Sequence, residues 1–531
     1  IHYGYLQGLY GSTAWSTGCS SAKSGPKTLE RIQIRQTFQF HFIKITEVIA
    51  EMKRSRIQKF FVVILTLFIL LSATVFHFQV HFENALSLQP ELHYDVKITI
   101  WRIVFEPIFG PLLYANRSLY VLEELPLVLL WLVIFYAIYS LVSIFKRSQN
   151  RKKNSIEKLL NLPLVLGICF AIFVLILFVP LPNNTIVNNS QDTILVTTHA
   201  HTEFSHDGLT SQENMWKWHK RNGFDAFFIT DHANHKKSLQ FAQDQKNGKF
   251  SNDPLVMVGQ EHSGTNHMSL LGLNGKFDTK GMSDQKVIDT VHHYGGAVII
   301  NHWFDGKGKE KELYEELGAD GFEIENSGED LYYDRNTFEE IKKFCEKNEL
   351  TMIGGLDFHG YGRVCSLYNA IKIPNWNSLT DSSKQQAILD ILKNGPQEKI
   401  KVLFYKDRPF YPKTNLFFRP FITVVNYFRT LNLWQVFSWV FWLLLFQFGG
   451  KYIKRVLFPP KKRLVSLALA SAVFMIVLAF IYYFRGEAVK GYSEVYTEYS
   501  LLLGPIGLAL LLYTLAITYF RFFRSKEEVA S

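Results

Sequence analysis

Cysteine is scarce in this chain. Four residues in 531, Cys19, Cys169, Cys345 and Cys365, exclude a disulfide-built scaffold, and no two of them have the spacing of a zinc-binding pair. A bridge between Cys345 and Cys365 would require an oxidising compartment, and spacing alone does not set it. No P-loop and no GxGxxG fingerprint occurs, which removes the glycine-rich phosphate cradles. Charge is missing from six apolar stretches, near 60–80, 125–145, 159–180, 432–448, 464–484 and 500–520. An ionisable residue inside such a run would mark a transport path, and none is there.

What is present divides the chain in three. Hydrophobic residues make up 48% and aromatics 15%, but residues 190–405 have the mixed polarity of a soluble domain, and the apolar runs flank them. Each run approaches the roughly 20 residues that cross a bilayer. The net charge of +10 sits largely in short Lys/Arg clusters beside these runs, at 53–59, 146–158, 451–463 and 521–526. Such clusters set membrane orientation, so the charge is not read as a nucleic-acid footprint. If six spans alternate, all four clusters fall on one side. The expectation is therefore an integral, multi-pass protein of the cytoplasmic or inner membrane. Its N-terminal membrane region is 52–182, its C-terminal one 430–531, its termini are cytoplasmic and its central domain is extracytoplasmic. Residues 98–114 (ITIWRIVFEPIFGPLLY) hold Arg102, Glu106, Pro107 and Pro111 and read as an interfacial or re-entrant piece. Residues 1–51 lack periodicity and precede Met52 and a basic flank, which reads as an upstream extension.

Between 190 and 405, short β-rich runs alternate with polar helical stretches such as 211–222, 283–294, 335–348 and 383–394. That alternation predicts α/β architecture with a parallel sheet, most simply a small or incomplete β/α barrel whose site lies at the C-terminal strand ends. Five runs end in metal-ligating side chains: TILVTTHAH (193–201), AFFITDH (226–232), LVMVGQEH (255–262), AVIINH (297–302) and MIGGLDFH (352–359). Twelve of the 17 histidines lie between 199 and 359. His219, His235, His292 and His293 read as structural or surface groups on helices. The strand-end set is different: His199, His201, Asp207, His232, Glu261, His267, His302, Asp357 and His359. Alternate residues of a strand point the same way, so HxH at 199–201 and DxH at 357–359 each present two ligands from one strand end. Zinc takes about four ligands, so nine indicate two or three ions.

In order, THAHTEFSHDG (198–208), ITDHA (229–233), GQE (259–261), HMSLLG (267–272), INH (300–302) and GLDFH (355–359) resemble the PHP family, named for polymerase and histidinol phosphatase domains. The resemblance implies a distorted (β/α)7 barrel, here inserted between two groups of three transmembrane helices, with a trinuclear centre of Zn or Mn, Fe or Mg being further candidates. It implies one ion on His199, His201, Glu261 and Asp357, a second on Glu261, His267 and His302, and a third on Asp207, His232 and His359. His206 competes with Asp207, which is preferred because Gly208 follows it. Asp231 is expected to orient His232. Asn301 is not expected to be a ligand. The implied activity is a metal-dependent phosphoric ester hydrolase using metal-activated water, with His262 as a candidate leaving-group acid and Arg363 as a candidate phosphate holder. A phosphorylated small molecule or surface group would be the substrate and the lipid bilayer a partner. The competing expectations are a metal-dependent hydrolase of a non-phosphate bond and a ligand-sensing ectodomain. Substrate, metal identity, oligomeric state and the role of the spans beyond anchoring are not readable.

Overall fold

A computed structural model describes residues 59–116, 121–146, 151–179, 181, 184–303, 310–327, 335–360, 365–394, 396–409, 415–456 and 460–523. The expected extension 1–51 and Arg363 lie outside the described residues. The chain divides into two compact units, Ile1–Leu65 and Thr66–Ser531. The described part of the first is the opening of an apolar helix, Lys59–Thr74.

Thirteen strands are described: β1 His81–Asn84, β2 Gln89–Pro90, β3 Tyr94–Lys97, β4 Thr185–Asn188, β5 Thr193–Thr197, β6 Ala226–Ile229, β7 Leu255–Ser263, β8 His267–Leu271, β9 Ala297–Ile300, β10 Gly321–Asn326, β11 Thr351–Gly355, β12 Leu367–Lys372 and β13 Ile400–Lys406. Eleven form one sheet in the order β11-β10-β9-β8-β7-β6-β5-β12-β13-β1-β2, and β3 pairs with β4. β1 and β2, from the stretch after the first apolar run, extend this sheet beyond β13.

The sheet differs from the expected parallel barrel in two ways. It is mixed. β7 and β8 are antiparallel because only Gly264–Asn266 separates them, and a parallel return needs a crossover of a dozen or more residues. It is also not a closed barrel. β11 ladders only with β10, and its other edge meets β12 through side chains. Asn369 of β12 accepts from Gly354 N–H at 2.7 Å and donates to Gly354 C=O at 2.8 Å. Gln397 does the same for Met352, at 2.8 and 3.0 Å. Two carboxamides thus occupy the hydrogen-bonding groups a neighbouring strand would take, and a buried edge is left satisfied. Among the described residues, backbone contact across this seam is at the rim, where Ala200 bridges Phe358 and Leu209 N–H donates to the His359 carbonyl.

The strands are buried on both faces, which is why they read as continuous apolar runs. Along β6, Phe227 and Ile229 enter one core cluster with Leu195, Val256 and Met268. Ala226 and Phe228 enter another with Val196, Met257 and Ile388. The period of two divides each strand between the two cores. Burying each such Phe contributes roughly 1.5–3 kcal/mol. Ser211 caps helix Gln212–Arg221 by accepting from Asn214 N–H at 3.2 Å, which turns the chain back over the sheet. Cys345 and Cys365 are both buried free thiols, so no bridge joins them.

Among the described residues, three helices are long and apolar enough to cross a membrane: Ser155–Phe178, Lys462–Ala488 and Val495–Arg521. The six-span arrangement expected from the sequence does not appear. Lys59–Thr74 and Leu127–Ser143 are shorter, and Leu433–Gly449 is bent by 108° from Arg419–Arg429. The long three pack through small residues, including Ala468 and Ala472 against Leu510 and Leu164. A Cβ at Gly507 would press on Ile476, so the glycine sets the closeness of the last two helices. Residues 98–114 form two short helices, Ile100–Val104 and Glu106–Asn116, with Arg102 and Glu106 paired and buried at 3.3 Å.

Candidate metal centre

The strand ends meet on one rim. His199 and His201 follow β5, His232 follows β6, His302 follows β9, and Asp357 and His359 follow β11. Glu261 lies near the end of β7. His267 opens its strand, yet reaches the same rim because β8 runs antiparallel to β7. His302 and Asp357 have φ of +26° and +50°. Both are left-handed positions that L-residues rarely adopt, so the chain holds strained backbone where it turns ligands inward.

Glu261 is the hub, and 2% of its side chain is exposed. Its Oε2 faces Nε2 of His199, His201 and His232 at 3.3, 3.1 and 3.1 Å. Its Oε1 faces His267 Nδ1 at 3.1 Å and His302 Nε2 at 3.4 Å. Asp357 Oδ1 stands 3.3 and 3.4 Å from His199 and His201. Asp207 Oδ2 faces His232 and His359 at 3.5 and 3.1 Å. The nine expected ligands are therefore brought together. Three ligand groups stand out: His199–His201–Asp357, His201–Asp207–His232 and His232–Glu261–His267. His201 and His232 each belong to two, so the groups are contiguous. His206 is largely exposed and lies 3.8 Å from Asp207.

Hydrogen bonds on the outer side of the imidazoles fix their tautomers. His199 Nδ1 lies 2.8 Å from the carboxylate of Glu323 and must donate to it. His359 Nδ1 lies 2.9 Å from the Asp357 carbonyl and must donate as well. The Ser205 hydroxyl donates to Asp207 at 2.6 Å, so it accepts from His201 Nδ1 at 3.2 Å. Each Nε2 is thus directed inward and offers its lone pair to an ion once any proton on it is displaced. The Nε2 atoms of His199 and His201 stand 3.0 Å apart, facing one another and two carboxylates. Lone pairs and carboxylates converge only around a cation, so the donor set fits divalent ions.

Titration follows from that crowding. Burial opposes charging His201, but Asp357 and Glu261 outweigh it and raise its pKa to about 10. His302 is likewise opposed by burial, yet Glu261 and Glu323 raise it to about 9. Burial would push Glu261, Asp357 and Asp207 up, but the neighbouring imidazoles hold all three well below the usual carboxylate range.

Several functional side chains escaped the sequence reading. Glu323, fully buried in β10, also accepts from His302 N–H and Asn326 at 3.0 Å each. Its signal was a carboxylate between Phe322 and Ile324 in an otherwise apolar strand. Asn301 is fully buried and donates to Glu261 Oε1 at 2.8 Å, so it holds the hub rather than an ion. Asp231 accepts from the N–H and hydroxyl of Thr202 at 2.5 and 2.8 Å, and Ser263 stands at His232 Nδ1 instead, at 3.2 Å. His262, one residue after Glu261, turns to the opposite face of β7, with Nε2 3.8 Å from Asp284.

Comparison with solved structures finds a two-domain protein from Bacteroides vulgatus ATCC 8482, described as containing a predicted PHP-like metal-dependent phosphoesterase. Identity is 20% and the TM-score 0.32, over 40% of this chain and 65% of that one. This chain thus spans less than two thirds of that protein's length. PsfC from Pseudomonas syringae PB-5123 matches at 15% identity and TM-score 0.32, over 40% of this chain and 92% of that one. No curated protein matches. The family model described as "PHP domain" matches residues 197–324, the stretch that holds seven of the nine candidate ligands, and this part of the chain is similar to that domain.

Proposed function

We propose that the chain is a membrane-anchored, extracytoplasmic phosphoesterase working through a trinuclear metal centre. The observation that carries the reading is the set of outer hydrogen bonds, which directs Nε2 of His199, His201 and His359 into one carboxylate-lined space. The resemblance distributes the ions as His199–His201–Glu261–Asp357, Glu261–His267–His302 and Asp207–His232–His359, with Zn or Mn in the centre. The hub position of Glu261, which offers one oxygen to each side, supports sharing it between two ions. Bound there, such ions would supply Lewis acidity toward phosphoryl oxygens and a water nucleophile at neutral pH. The chain's own part is orientation. Glu323 and Ser205 set the two imidazoles of HxH, and Asn301 fixes the carboxylate they share. Arg363, just beyond His359, is proposed to hold a substrate phosphate.

Anchoring is supported by the three long apolar helices, and the outward placement by the Lys/Arg clusters on the other side of the runs. The test uses the full chain in detergent, loaded with Mn²⁺ or Zn²⁺, on a panel of phosphomonoesters and diesters. The His199→Ala, His201→Ala double variant is the control. Release above the control is expected, and equal rates on every ester would sink the reading. Reporter fusions after Lys153 and after Asn183 should report opposite sides of the membrane, and equal signals would refute the placement.

A further inference from the structure

The loop carrying Asp207 is seated on the connection between the last two apolar helices, Pro460–Ala488 and Val495–Thr518. Arg485 donates through Nε and Nη2 to both carboxylate oxygens of Glu203. Tyr496 Oη reaches the same carboxylate at 3.5 Å. Glu494 N–H donates to the His206 carbonyl and Ser493 Oγ to the Gly208 carbonyl, each at 2.8 Å. The carbonyls on either side of Asp207 are thus both held by the helical connection. Phe204 meets Tyr492 edge-on, with centroids 5.2 Å apart.

That connection has the composition of a bilayer surface. Tyr483, Tyr492 and Tyr499 lie near Arg485 in the sequence, whereas the runs 464–484 and 500–520 contain no charge. Outward side chains along those runs are apolar, among them Leu467, Val477, Leu508 and Leu512. Amphipathic rings and arginine gather where hydrocarbon gives way to headgroups. With the two helices taken as spans, this connection lies at headgroup depth, and the Asp207 carboxylate one residue from it shares His232 and His359 with the candidate metal centre.

We propose that the ester handled at this centre is a lipid phosphate, presented from the bilayer beside the 203–208 loop. The proposal rests on the phosphoesterase reading above. In the reaction the oxygen of one water bonds to phosphorus and the bond from phosphorus to the leaving oxygen breaks. A proton from the water passes to that oxygen. One water is consumed, and an alcohol and a phosphate are released. A soluble ester would gain nothing from a centre held at the hydrocarbon border. A lipid ester is already confined to the layer the centre faces.

The experiment places the full chain with Mn²⁺ in phosphatidylcholine vesicles. The probes are dioleoyl phosphatidic acid and dioleoyl phosphatidylglycerol, with the water-soluble dibutanoyl form of each at the same bulk concentration. The His199→Ala, His201→Ala variant sets the blank. Confinement should favour a long-chain probe by about tenfold or more. Its rate should also fall as phosphatidylcholine dilutes the surface at constant bulk lipid. Short-chain esters cleaved as fast as long-chain ones, or indifference to surface dilution, would overturn the lipid assignment and leave the phosphoesterase reading standing. No release above the blank from any of the four, by protein shown to carry metal, would overturn both.

Discussion

Replacing Glu323 by Gln tests the metal centre without touching a ligand. The Glu323 carboxylate receives three donors: His199 Nδ1 at 2.8 Å on Oε1, and His302 N–H and Asn326 Nδ2 at 3.0 Å each on Oε2. Glutamine is the same size but carries an NH₂ on one end. If its oxygen keeps His199, the NH₂ confronts two N–H donors. If it turns over, the NH₂ confronts His199 Nδ1, and the favoured tautomer then moves its proton to Nε2, where an ion must bind. Either way the preset imidazole is lost. Partners of metal-bound histidines are worth about 10–100-fold in affinity, or roughly 1.4–2.7 kcal/mol. Chelator competition against Mn²⁺ or Zn²⁺ on detergent-solubilised protein reads this directly. We expect at least one equivalent to be released at lower chelator concentration than in the native protein. Unchanged stoichiometry and unchanged affinity for every equivalent would refute the role given to Glu323.

Other outcomes follow from the same geometry. In metal-free protein His201 and His302, raised to about 10 and about 9, are protonated at neutral pH, so an ion must displace those protons. Affinity should rise about tenfold per pH unit for each proton displaced, and a pH-independent affinity between pH 6 and 8 would contradict it. By linkage, these raised values stabilise the metal-free fold fully below about 6.5, and that stability is lost as pH rises toward 9–10; a thermal midpoint that climbs over this interval would be the wrong sign. Asn369→Leu orphans the N–H and C=O of Gly354, which should cost about 2–5 kcal/mol and lower the thermal midpoint in detergent; an unchanged midpoint would mean the seam does not depend on that amide. Arg485→Ala should loosen the Asp207 loop and release one metal equivalent early, with Arg485→Lys partly restoring it; native-like retention in both would show that the ion pair with Glu203 positions nothing.

Seven of the nine candidate ligands were legible because they lie at the ends of short apolar runs, whereas Asp207 sits on the loop after β5 and His267 opens β8. Glu323 was hidden by the same logic. It sits inside β10, where a charge reads as an irregularity until the interior it faces is known. Ser205 and Asn301 are ordinary residue types whose roles depend on register. The seam was not legible at all, since nothing in the pattern around Asn369 or Gln397 distinguishes a carboxamide replacing a strand from one facing water. Of the six apolar runs, 159–180, 464–484 and 500–520 coincide with helices long enough to cross a membrane. Residues 432–448 have a span's composition but lie beyond a sharp bend, and 98–114 carries a buried Arg102–Glu106 pair that hydropathy does not anticipate.

The open edge of β11 gives the metal centre a mechanical consequence. His199 and His201 lie on one side of the seam, Asp357 and His359 on the other, and among the described residues the backbone links across it are the Ala200–Phe358 bridge and the Leu209 N–H to His359 carbonyl bond. A ring of strands interrupted at one join opens there first, and amide exchange along β11 would report that breathing. Ions bridging these four ligands would act as a clasp across the gap. Loading the centre would then tighten the whole hoop, and stripping it would free the strand that carries two of its own ligands.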